Sequence, residues 1–159
     1  MKTNIINEFL NTPQGEEANR ILRSCVHCGF CNATCPTYQL LGDELDGPRG
    51  RIYLIKQTLE GKTPGKQTQL HLDRCLTCRN CESTCPSGVN YSQLLNIGRS
   101  VINKKVPRSL QQRTLHLLLR KFFLSRFVFS ILLKTGQWFK PVLPIFIKSS
   151  IPDKQPKLN

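Results

Sequence analysis

The 159-residue sequence predicts a mainly α-helical protein, with a front module carrying two cysteine loops and a basic amphipathic helical tail. Three observations carry this reading. β-Branched residues nowhere alternate with polar ones over the length of a strand, whereas apolar residues recur at helical spacing. All eight cysteines fall in two runs, Cys25–Pro36 (CVHCGFCNATCP) and Cys75–Pro86 (CLTCRNCESTCP). Charge is divided unevenly: residues 1–100 carry 11 Lys and Arg against 9 Asp and Glu, and residues 101–159 carry 12 against Asp153 alone.

Taken in order, residues 16–24 (EEANRILRS) predict a short helix delivering the first cysteine, with Glu16 and Glu17 favourably placed in its N-terminal turn. In the loop that follows, Gly29 can supply the positive φ that tight wrapping needs. His27 reads as a surface or supporting residue between two ligands, and Thr34 and Thr84 hold equivalent places before the last cysteine of each run. Gly42 to Gly50 is rich in turn formers. From Arg51 onward, Ile52, Ile55 and Leu59 give one apolar helical face, which Gly61 and Pro64 end. A second short helix over Gln67–Arg74 feeds Cys75. After Pro86, Ser92 is the expected N-cap of a helix carrying Leu94, Leu95 and Ile97, and Pro107 breaks the pattern. His71 and His116 are expected on helix surfaces. In the tail, Leu115, Leu118, Leu119, Phe122, Phe129 and Leu133 fall in one wide stripe, with Arg113, Arg120 and Lys121 off it. The pattern is imperfect, since Arg126 falls on the apolar side and Leu117, Phe127 and Ile131 fall opposite. Two domains are expected, residues 1–103 and 104–159.

Each cysteine run reads C-x2-C-x2-C-x3-C-P, the bacterial ferredoxin spacing for a 4Fe–4S cluster. A cysteine at every third residue lets a loop wrap three corners of a cubane while backbone N–H groups turn toward the sulfurs. The fourth cysteine points away, its exit stiffened by Pro36 or Pro86, and in two-cluster proteins it ligates the other cluster. The expected ligands are therefore Cys25, Cys28, Cys31 and Cys85 for one cluster, and Cys75, Cys78, Cys81 and Cys35 for the second. The front module is thus a helical ferredoxin-like unit holding two 4Fe–4S clusters, whose charge would make it anionic when loaded. Zinc usually takes two C-x2-C pairs far apart and has no redox chemistry, and disulfides need an oxidising compartment. Arg49, Arg51, Arg74 and Arg79 have two readings: cations that raise a neighbouring cluster's potential, or ordinary partners of Asp43, Asp46 and Asp73.

The N-terminal stretch MKTNIINEFLNTPQGEEANR lacks the apolar core of a secretory signal. Thiolates awaiting iron also favour a reducing compartment, so a cytoplasmic location is expected. The uncharged runs Phe127–Leu133, Thr135–Phe139 and Pro141–Ile147 fall short of the roughly 20 residues needed to cross a bilayer, and no transmembrane span is expected. A basic apolar tail suits an anionic membrane surface, here the inner face of the cell membrane, or a groove on a partner subunit. It is too apolar for a solvated nucleic-acid-binding arm, and no nucleic-acid partner is expected.

With HCGFC, PTYQLLGDELDGPRGRIYLIKQ and HLDRCLTCRNCESTCPSGV in view, the sequence resembles the iron–sulfur subunits of glycolate oxidase (glycolate dehydrogenase). The likeness is dense from about Leu22 to Arg99 and looser beyond. It implies an electron-carrying subunit beside FAD-containing flavoprotein subunits that oxidise glycolate to glyoxylate, with electrons passing toward a membrane quinone acceptor. The family's eight ligands fall on the same eight cysteines, and no residue is assigned a catalytic role. The family normally continues into a second half bearing cysteine-rich CCG repeats, whereas no cysteine follows Cys85 here. The chain therefore reads as the two-cluster half. The alternative is the equivalent subunit of a flavin dehydrogenase acting on D-lactate or glycerol 3-phosphate, because that choice is made in a pocket on another chain.

Overall fold

The computed structural model describes residues 1–139, among which every regular element is a helix. Two units divide the chain, Met1–Pro107 and Arg108–Asn159. The run Pro141–Ile147 and the rest of the tail beyond residue 139 lie outside the described residues.

In the first unit a single turn, α1 (Asn7–Leu10), precedes α2 (Pro13–Ser24). α2 starts ahead of residue 16 because Thr12 caps it, its hydroxyl accepting the Gly15 N–H at 3.0 Å. Pro13 then fills the first helical position, where a missing N–H costs nothing. Ala18, Ile21 and Leu22 turn this helix's apolar side into the core. The first cysteine loop contains α3 (Phe30–Ala33) and runs into α4 (Pro36–Leu41). A 3-10 turn at Glu44–Asp46 then leads to α5 (Pro48–Leu59). α6 (Lys66–Asp73) delivers the second loop, which contains α7 (Asn80–Ser83).

The last helix of this unit is α8 (Tyr91–Lys105). Its cap is Asn90, whose Oδ1 accepts the Gln93 N–H at 3.3 Å, and not Ser92. The Ser92 N–H is taken instead by Glu82 Oε1 at 2.6 Å, which ties the start of α8 to the second loop. α8 runs on through Lys105 and Val106 is buried, so the core extends past residue 103. The centre of the unit is the packing of α5 on α8. Ile52, Ile55 and Leu59 meet Leu94, Leu95 and Ile102, every one of them 3% exposed or less. The approach is close at Gly98, where a Cβ would stand 2.6 Å from Ile55 Cγ1.

The second unit is described as far as residue 139. It holds α9 (Leu110–Leu124) and α10 (Arg126–Phe139), which pack on each other. The single stripe expected from the sequence is broken at Ser125, an extended residue (φ −87°, ψ 103°) whose Oγ accepts the Val128 N–H at 3.4 Å. Large apolar side chains stand in solvent on both helices, among them Leu115, Leu118, Phe127 and Trp138. His116 is exposed, as expected. No helix among the described residues is long and apolar enough to cross a membrane.

The close crossing at Gly98 gives a test. Ala is the better helix former by about 1 kcal/mol, yet its methyl would drive α8 off Ile55. Gly98→Ala is expected to cost a net ~1–3 kcal/mol, as overpacking does. A lower denaturation midpoint supports the crossing as described, and an equal or higher one contradicts it.

Candidate metal centre

Both cysteine loops wrap through left-handed backbone at the same two places, His27 and Gly29 (φ 60° and 88°) and Thr77 and Arg79 (φ 57° and 63°). Glycine adopts this conformation freely. Arg79 and the β-branched Thr77 do so at a cost, so the wrapping itself dictates the backbone there. Each loop then makes a one-turn helix, α3 or α7, and the two turns pack together. Thr34 and Thr84 meet at this contact, both donating to the Asn80 carbonyl, at 3.4 and 3.2 Å. The Thr34 hydroxyl thus ties the first loop to the backbone of the second, while the Thr84 bond closes a turn within its own loop.

All eight cysteines are free thiols, gathered around two recesses. The first is lined by Cys25, Cys28 and Cys31 of the first loop and by Cys85 of the second, with Cys81 also at its wall. The second is lined by Cys75, Cys78 and Cys81 and by Cys35 of the first loop. Pro48, Cys81 and Tyr91 line both, so a single shared wall stands between them. Burial pushes the Cys31 thiol up to about 11, and like charge on Cys25, Cys28 and Cys85 adds to the effect. Burial likewise pushes Cys81 up to about 12, with Cys31, Cys75 and Cys35 adding to it. Thiols so grouped repel one another as thiolates, and only a bound cationic centre makes their ionised form stable. Soft sulfur donors in two such groups are the ligand chemistry of iron–sulfur centres, and these residues fit two 4Fe–4S clusters.

Beside the second recess lies a buried charged network. Asp46 is fully buried and accepts Arg74 Nη1 at 2.8 Å, with His71 Nδ1 at 3.1 Å and Arg51 Nη2 at 3.5 Å. Burial alone would raise the Asp46 pKa, but the hydrogen bonds from His71 and Arg74 outweigh it and hold the carboxyl below its ordinary value. Arg51 is equally buried. Its Nε donates to the His71 carbonyl at 2.7 Å and its Nη1 to Thr37 Oγ1 at 3.1 Å, while Nη1 stands 4.0 Å from Cys35 Sγ. His71 is therefore a buried partner of Asp46 and not the surface residue expected, because α6 turns it toward the 3-10 segment. One sequence signal pointed this way: Arg51 lies four and eight residues before Ile55 and Leu59, on their buried face.

All four arginines are ion-paired, and three of them also line a recess. Arg49 lines the first recess and Arg51 and Arg79 the second, while Arg74 is held by Asp46. Arg49 and Arg79 are also ion-paired, to Glu44 and Glu82, each at 2.7 Å. Asp43 caps the 3-10 turn, accepting the Leu45 N–H at 2.9 Å. His27 lies on the first recess with its Nδ1 buried and unbonded, and burial together with Arg49 lowers its pKa.

Comparison with known proteins bears on this geometry. A 4Fe-4S dicluster domain matches residues 21–89. Over 152 residues the chain is 56% identical to the glycolate oxidase iron–sulfur subunit of Escherichia coli (strain K12), covering 96% of this chain and 37% of that protein. It is 44% identical over 96 residues to a probable glycolate oxidase iron–sulfur subunit of Bacillus subtilis (strain 168), covering 59% of this chain and 22% of that one. Identity to the succinate dehydrogenase iron–sulfur subunit of Paracoccus denitrificans is 32% over 81 residues, or 46% of this chain and 31% of that one. The chain thus spans well under half the length of these relatives. No solved structure matches it. The eight cysteines of the two recesses all lie inside the matched 4Fe-4S dicluster domain, and the relative similar over nearly the whole of this chain is an iron–sulfur subunit of glycolate oxidase.

Proposed function

We propose that the chain is the electron-transfer subunit of a glycolate oxidase complex. In this reading it takes electrons singly from a flavin on a partner subunit that oxidises glycolate to glyoxylate, and passes them toward the membrane quinone pool. The observation that supports it most is the pair of four-cysteine recesses sharing the wall of Pro48, Cys81 and Tyr91. Two redox centres set so close suit conduction, whereas a purely structural metal gains nothing from a neighbour. Bound 4Fe–4S clusters supply one-electron redox chemistry at potentials set by charge, hydrogen bonds and exposure. The sequence has no G-x-G-x-x-G fingerprint, so substrate oxidation is assigned to the flavoprotein.

Cys25, Cys28, Cys31 and Cys85 hold one cluster in this reading, and Cys75, Cys78, Cys81 and Cys35 hold the other, a grouping supported by which thiols line which recess. The core gives these ligands a rigid mount, and the left-handed residues between them turn the loops around their contents. The docking tail, expected from residue 104, begins in this reading after Pro107, where the first unit ends. Arg113, Arg120, Lys121 and Arg126 stand among exposed Leu and Phe side chains, a combination that suits the anionic inner face of the cell membrane.

Paired alanine substitutions test the exchange of ligands between loops. The loaded chain is expected to hold about eight irons, as two such clusters require. Cys28→Ala with Cys85→Ala should remove one cluster and leave about four, whereas Cys28→Ala with Cys35→Ala should strip both. The reverse pattern would mean that each loop binds its own four. For the function, anaerobic addition of glycolate to the chain co-purified with its flavoprotein should bleach the visible cluster absorbance. Bleaching by D-lactate but not by glycolate would transfer the reading to another dehydrogenase. For the tail, the full chain should sediment with anionic vesicles at low salt, leave them at high salt and ignore neutral vesicles. Equal affinity for both vesicle types, or for neither, removes the membrane contact.

A further inference from the structure

We infer that the two cluster sites are unequal by construction, and that the one formed by Cys75, Cys78, Cys81 and Cys35 holds the more positive reduction potential because Arg51 and Tyr91 aim donors at its sulfurs. This rests on the two-cluster reading above. The Tyr91 hydroxyl, inside the core, donates to Cys75 Sγ across 3.7 Å. Arg51 Nη1 faces Cys35 Sγ at 4.0 Å from a side chain only 1% exposed, and a guanidinium keeps its charge even there. Thr37 Oγ1 is 3.2 Å from the same sulfur, although it also donates to the Asp46 carbonyl at 2.8 Å. Arg99 also stands close, donating to the Cys75 carbonyl at 2.9 Å, whereas Arg79, which lines this recess, is 65% exposed and paired with Glu82 and adds little. Asp46 offsets part of this charge, but it is shared between Arg51 and Arg74.

The first recess has a poorer supply. Its cations are Arg49, which is 38% exposed and already paired with Glu44, and the N-terminal ammonium, which donates to the Cys25 carbonyl at 2.7 Å; neither is a buried guanidinium facing a sulfur. The side-chain contact to a sulfur there runs from Cys31 Sγ to Asn32 Oδ1 at 4.0 Å, an acceptor that offers nothing to a thiolate. His27, with its unbonded Nδ1, can add one neutral hydrogen bond. A cluster becomes more negative on reduction, so buried cations and donors to sulfur stabilise its reduced form, and low local polarity strengthens each contribution. The second site is therefore where the first reducing equivalent settles. Arg51 and Tyr91 are positioning residues: they act through Cys35 and Cys75.

A potentiometric titration of the full chain, loaded anaerobically and followed by EPR, decides the matter. Two separated midpoints are expected. Tyr91→Phe keeps the ring in the core and should move only the more positive midpoint, downward. Arg51→Gln should do the same, and Arg51→Lys, which retains the charge, should recover part of the shift. Should Arg51→Gln not fold, Tyr91→Phe alone is decisive. Coincident midpoints in the parent chain, or a Tyr91→Phe that moves the lower midpoint or neither, would overturn the inference. A parent chain that loads fewer than two clusters would instead overturn the two-cluster reading beneath it.

Discussion

The structure depends on one constraint: the last cysteine of each loop faces the recess of the other. Cys35 lines the second recess and Cys85 the first, so neither loop completes a set of four thiols without its counterpart. The packing follows from that exchange. α3 rests on α7, Thr34 and Thr84 share the Asn80 carbonyl, and both long central helices begin at the common wall. α5 starts at Pro48 and α8 at Tyr91, and each of these residues borders both recesses. Two helix N-termini, with their partial positive charge, are thus presented to sites that take up anionic contents.

Electrostatics then separates the two ends of the chain. Burial favours the protonated form of the Cys31 and Cys81 thiols, so binding a cationic centre there must displace their protons. Once loaded, the front module changes from weakly basic to anionic, while residues 101–159 stay strongly basic. Inside the module, the Asp46 network places buried guanidinium charge beside one recess only. A polar core of this kind would be costly to leave half satisfied, and here Asp46 reaches three partners and Arg51 bonds to a carbonyl as well.

Much of this was legible in the residue order, because the decisive signals are local. The C-x2-C-x2-C-x3-C-P spacing carries the loop geometry, and Ile52, Ile55 and Leu59 carry the buried face of α5. What escaped depends on partners distant in sequence or on small differences. Asp46 and His71 are 25 residues apart, and the one local hint, Arg51 on the buried face of Ile55 and Leu59, names neither of them as its partner. Asn90 and Ser92 are both good caps two positions apart, and the tie was broken by Glu82 reaching the Ser92 N–H. The break at Ser125 has neither glycine nor proline to mark it. Gly29 advertised its left-handed backbone, whereas Thr77 and Arg79 adopt the same conformation against their own preference.

In the proposed reading, two iron–sulfur cubes sit side by side across the wall of Pro48, Cys81 and Tyr91. Low-temperature EPR of the fully reduced chain tests it most directly. A complex, broadened spectrum from two reduced clusters whose spins interact is expected, integrating to about two unpaired spins per chain for a pair of 4Fe–4S centres. Two simple superimposed spectra without interaction, or a signal integrating to a single spin at full reduction, would contradict it.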